Sequence, residues 1–166
     1  MRIVKCSTVC LALVLVGACG SGGSSKPAAP TTTPSTTTAT KIRKITKTAY
    51  IARANAICTT MNRRTDAVRD PGNDPEKVAA SLAQIRTIIG NALVKLRALP
   101  EPQGDEARLA AVYAKVDALR AGMQAYIDAV HAHDAPAAAT AGKRLDTLGN
   151  AANAASNQYG LTVCGS

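Results

Sequence analysis

Residues 105–130, DEARLAAVYAKVDALRAGMQAYIDAV, decide the fold of this chain. Apolar side chains fall at Leu109, Val112 and Tyr113, Val116, Leu119, Met123, Tyr126 and Ile127, and Val130. These steps of three and four draw one stripe along an α-helix. Asp105 and Glu106 open the run, where negative charge complements a helix N-terminus. A helix with one apolar stripe must bury it, so neighbouring segments have to supply matching faces.

They do so on both sides. Ahead of the run, Val78, Leu82, Ile85, Ile89, Leu93 and Leu96 repeat the helical period after Asp74-Pro75, a capping side chain followed by proline at the first helical position. Leu99-Pro100-Glu101-Pro102-Gln103-Gly104 ends that segment, because neither proline continues the hydrogen-bond ladder. Further back, Ile51, Ala54, Ile57, Cys58, Met61, Thr65 and Val68 form a first segment that stops at Asp70-Pro71-Gly72. Beyond the central run, Asp134 caps an alanine-rich fourth segment with Ala141, Leu145, Leu148, Ala152, Ala155 and Tyr159, closed by Gly160 as a left-handed cap. Four helices of about 20 residues with short connections predict an all-α, up-down-up-down four-helix bundle over residues 48–166. Small alanines on the fourth helix and the absence of Phe and Trp predict tight packing between helices.

The first 47 residues have a different character. A positively charged start is followed by a mostly apolar run over 7–16, too short to span a bilayer, and then by Val16-Gly17-Ala18-Cys19. This pattern resembles a bacterial lipoprotein signal, which implies removal of residues 1–18 and acylation, by diacylglyceryl and palmitate-like chains, of Cys19 as the mature N-terminus. The expected location is the outer face of a cell membrane, with membrane lipid as partner through the acyl anchor. Residues 20–40 are Gly, Ser, Pro, Thr and Ala with one lysine, which cannot bury a core and read as a tether. Residues 19–47 together reach roughly 30 Å as a coil. The Thr- and Pro-rich stretch 31–40 has the composition of an O-glycosylated stalk. Lys41, Arg43, Lys44 and Lys47 end the tether as a basic run, either plain solvated linker or a contact for anionic lipid headgroups.

The formal charge of +9 does not make this a nucleic-acid binder. After Lys47 there are thirteen basic and eleven acidic residues, so the helical part is close to neutral. It has no basic helical stripe interleaved with aromatics, and export separates it from nucleic acid.

Of five cysteines, Cys6 and Cys10 leave with the signal and Cys19 carries lipid, so Cys58 and Cys164 remain to form one disulfide in an oxidising compartment. In an up-down-up-down bundle the end of the fourth helix lies beside the start of the first, roughly 15 Å from Cys58. Residues 161–164 in extended form span about 13 Å, so an extended tail folding back along the first helix predicts the bridge. Asn55 and Asn62 flank Cys58 on the same side and are expected to bind the tail's backbone groups; the alternative is the rim of a polar pocket. On the fourth helix Asn150, Asn153 and Asn157 share an uncharged face opposite the apolar stripe. Asparagine is a poor helix former, so beside the plain reading as a solvated face stands the alternative of a contact for another envelope protein or a glycan.

Little is left for catalysis. His131 and His133 diverge by about 200° on a helix and cannot chelate as an i, i+4 pair would, and Asp70-Pro-Gly-Asn-Asp74 lacks the spacing of a calcium loop. Ser81 and Ser156 have neither a glycine elbow nor a local base. The expectation is a non-enzymatic binding or interaction module with no metal and no cofactor, the alternative being a small-ligand or lipid carrier that uses the bundle interior.

Three quoted stretches carry a resemblance. Tyr50-Ile-Ala-Arg-Ala-Asn-Ala-Ile-Cys58, Leu96-Arg-Ala-Leu-Pro-Glu-Pro102 and Tyr159-Gly-Leu-Thr-Val-Cys164-Gly165 resemble a group of small exported actinobacterial lipoproteins or secreted helical proteins of unknown function. The resemblance implies a helical domain with the same bridge and no assigned catalytic residue.

Overall fold

The structure is a computed structural model that describes residues 45–166. The expectations for the signal, Cys19, the tether, Lys41, Arg43 and Lys44 lie outside those residues. Four helices follow one another among the described residues: α1 (Lys47–Asp66), α2 (Pro75–Arg97), α3 (Glu106–His131) and α4 (Ala135–Tyr159). They form an antiparallel bundle with no strand among the described residues, the fold expected from the apolar period.

Local chemistry sets most of the boundaries. Thr46 accepts from the Ala49 amide at 3.2 Å and starts α1. Asp74 Oδ1 accepts from the amides of Glu76 and Lys77 at 3.0 and 3.3 Å, with Pro75 in the first turn, and Asp134 Oδ1 accepts from Ala137 at 3.0 Å. Each of these bonds satisfies an amide that the helix itself leaves unpaired. Gly160, with φ 106°, is the left-handed cap of α4. Asp105 departs from the pattern: it precedes α3 but makes no side-chain cap bond, because its carboxylate is turned into the bundle.

Packing runs from α1 to α2, α2 to α3 and α3 to α4. α3 and α4 approach closely at Gly122, where a Cβ would lie 2.6 Å from Leu148 Cδ1, so only glycine admits that leucine without a shift. No Cα of α1 lies within 8 Å of a Cα of α4, which leaves a seam between the first and last helices. Two apolar clusters occupy the bundle. The larger holds Tyr50, Ala54, Cys58, Leu93, Leu96, Leu109, Val112, Tyr113, Tyr159 and Leu161, and the smaller, near the α3–α4 turn, holds Ala79, Ile127 and Val130.

Residues 161–166 enter the seam. The tail is not the extended segment expected: Leu161 O accepts from the amides of Cys164 and Gly165 at 3.0 and 3.1 Å, which makes it a turn. Two causes are visible. Gly160 lies against Ile51, seven residues or about 10 Å before Cys58, so the distance to cover is shorter than that reckoned from the helix start. A turn also satisfies the tail's own backbone groups while Leu161 is buried to 1% exposure. Cys58 and Cys164 are joined as a disulfide, with their Cα atoms 5.1 Å apart.

Candidate functional site

A pocket of about 240 Å³, partly open to solvent at the seam, lies between the helices, with walls from all four helices and the tail. Ile85, Ile89, Ala92, Leu93 and Leu96 of α2 and Val112, Val116 and Leu119 of α3 make an apolar floor. Across from them, α1 contributes Cys58, Met61, Asn62 and Thr65, α4 contributes Ala152, Asn153 and Ser156, and the tail adds Leu161, Cys164 and Ser166. The expectation of tight packing holds between α3 and α4 and is corrected on the α1 side of α4. Small residues close a bundle only where backbones approach, and here α1 and α4 stand apart, so Ala92 and Ala152 leave their volume unfilled. No Phe or Trp exists in the chain to occupy it. An engineered apolar cavity of about 150 Å³ is enough to hold benzene, so this space accepts a molecule of about ten heavy atoms.

The polar groups predicted from sequence cluster at the seam. Asn62 donates from Nδ2 to Val163 O at 2.9 Å and to Ser166 Oγ at 3.2 Å, and it also lines the cavity. Asn55 differs: its Oδ1 is buried with no hydrogen-bond partner among the described residues, so that oxygen does not hold the tail. The three asparagines of α4, Asn150, Asn153 and Asn157, are all exposed. While staying exposed, Asn157 donates from Nδ2 to Gly165 O at 3.1 Å and Asn153 borders the cavity. The seam was the missing information. Positions opposite the α3-facing stripe of α4 border the tail there while staying exposed.

Lys47 is likewise part of the fold. It belongs to the first turn of α1, its Nζ lies 3.9 Å from Asp105 Oδ2, and it stacks 4.3 Å above the Tyr159 ring. Its separation from the basic run has a physical reason, since a half-exposed ammonium beside a carboxylate and an aromatic face is held by both.

Next to the cavity is a polar core the sequence reading missed. Tyr50 donates its hydroxyl to Tyr113 Oη, and Tyr113 in turn donates to Leu96 O at 3.3 Å. Tyr159 donates to Asp105 Oδ2 at 2.9 Å and meets Tyr50 edge-on, ring centres 6.1 Å apart. Arg108 Nη1 lies 3.6 Å from the other oxygen of Asp105. Burial pushes all three phenols above their ordinary range. For Tyr50 the donated bond to Tyr113 adds to this, and for Tyr159 the Asp105 carboxylate does. One signal was available: four tyrosines with no Phe or Trp mean that every aromatic ring brings a hydroxyl needing a partner.

His131 and His133 are exposed, His133 with a left-handed φ of 54° in the α3–α4 turn. Among the described residues no helix is long and apolar enough to cross a membrane. No family model, curated protein or solved structure matches the chain.

Proposed function

We propose that this protein is a lipid-anchored, non-enzymatic binding module of the cell envelope, held on the outer membrane face through Cys19, and that its bundle interior takes a small apolar ligand. The observation that carries the binding half is the cavity of about 240 Å³ between the apolar floor of α2 and α3 and the seam of α1 and α4. Pockets of this character, largely apolar with a few polar groups at one side, are the usual form of small-molecule sites. The anchor half rests on the signal pattern ending at Cys19 and on the polar tether behind it. The resemblance to exported actinobacterial lipoproteins points the same way.

Two experiments test the halves separately. An apolar fluorescent probe of naphthalene size is expected to bind the purified protein and to lose at least tenfold in affinity when Ala152→Leu fills the space. Equal binding by the variant refutes interior binding. For the anchor, Cys19→Ala is expected to move the protein from the membrane fraction or leave it uncleaved. A variant that fractionates and migrates like the parent refutes acylation.

A further inference from the structure

We infer that the cavity selects an uncharged amphiphile: an alkyl or compact ring body of about eight carbons lying on α2 and α3, with one neutral hydrogen-bonding group at the α1–α4 seam. This deepens the binding reading above and rests on it.

The distribution of side chains carries the inference. No Lys, Arg, His, Asp or Glu lines the cavity. Its floor, built on Ile85, Ile89, Leu93, Val116 and Leu119, offers no polar side chain to a ligand. The polar side chains are all neutral and all come from α1, α4 or the tail: Asn62, Thr65, Asn153, Ser156 and Ser166. Amides and hydroxyls both donate and accept, so they serve a ligand hydroxyl, carbonyl or amide equally well. The phenol of Tyr113 is already donated to Leu96 O, and burial keeps it protonated.

Charged groups lie near the cavity but do not line it: Arg86 Nε and Arg120 Nε are buried without a hydrogen-bond partner among the described residues, and neither residue is part of the wall. Arg120 packs on Gly90 and lies 3.5 Å from Asp117, whose other oxygen is 2.6 Å from Arg97. Lys47 and Arg108 share Asp105 at the far side of Tyr159. None of these lines the cavity. A carboxylate or ammonium entering it loses hydration and gains no counter-ion, a cost that a neutral group of the same shape avoids.

Octanamide and octanoate are nearly isosteric and differ in charge, so they make the test. Each is titrated at pH 8 into the purified full chain, following the methyl resonances of Ile85 and Ile89, with Ala152→Leu and Ala92→Leu as filled controls verified as helical. The expected result is saturable octanamide binding at least tenfold tighter than octanoate, lost in both filled variants. Octanoate binding as tightly as octanamide, with both lost in the filled variants, overturns the charge selection and leaves interior binding standing. Shifts of those methyls by neither ligand, or shifts that persist in the filled variants, overturn interior binding and this inference together.

Discussion

Tyr50→Ala is expected to lower the stability of the folded domain by about 3 to 5 kcal/mol, the range for removing a large buried aromatic ring. Tyr50 has 0% exposure and packs among Ala54, Leu109, Tyr113 and Tyr159, where nothing flexible can fill the space. Tyr50→Phe separates ring from hydroxyl. It removes one donor while Tyr113 keeps Leu96 O, so the expected loss is about 0.5 to 1.5 kcal/mol. Denaturant titration measures both, and a loss below about 1.5 kcal/mol for the alanine variant shows that the ring is not a core element. The same residues set an alkaline limit. Their phenols ionise near 10 in the unfolded chain but higher in the fold, so above pH 10 the unfolded state holds fewer protons. Stability therefore stays intact below pH 10 and falls as pH rises beyond it, by about 1.4 kcal/mol per pH unit for each buried tyrosine. Circular dichroism against pH checks this, and Tyr50→Phe should make the decline shallower.

Reduction of the Cys58–Cys164 bridge, or Cys164→Ser, is expected to cost about 4 kcal/mol. The bridge joins residues 106 apart, and chain-entropy arguments give the largest effects to loops of this length. Its place in the bundle adds a second consequence. The backbones of α1 and α4 stand apart and their side chains meet at Tyr159, at the entry end, so along the rest of the seam the tail is what ties α1 to α4. After reduction the tail keeps the bonds from Asn62 and Asn157, each worth about 1 kcal/mol, and the amides of Cys164 and Gly165 should exchange with solvent far faster. Unfolding in denaturant with and without reductant measures the loss. Equal stability to within about 1 kcal/mol means that the bridge is incidental to the fold.

The helices were legible because each has a stripe and a punctuation mark: Asp74-Pro75, Leu99-Pro100, Asp134 and Gly160 all stand at the ends where the chain turns. Pairing of the cysteines followed from elimination. The interior was not legible, because side-chain spacing reports which face of a helix is apolar and not how far apart two helices stand. Ala92 and Ala152 read the same whether they seal an interface or line a void; the separation of α1 from α4 decides between them. The asparagines show a related limit. Asn157 is exposed, as its spacing suggests, but its bond to Gly165 O cannot be seen until residues 161–166 are placed beside it. Asp105 illustrates a third limit, since a carboxylate ahead of a helix is expected to serve that helix, and here Tyr159, 54 residues later, takes it instead.

The antiparallel order has a directional outcome. Ile45 bridges Pro102, and Tyr50 meets Tyr159, so chain entry, the α2–α3 connection and the end of α4 share one pole. Pro75, Glu76, His133 and Asp134 gather at the other, where the α1–α2 and α3–α4 connections meet. A 20-residue helix separates the two by about 30 Å. Residues 70–74 and 131–134 thus lie a full helix length from the point where the chain enters α1. A dye attached at Asn73 and another at Ile45 would report that pole-to-pole distance directly.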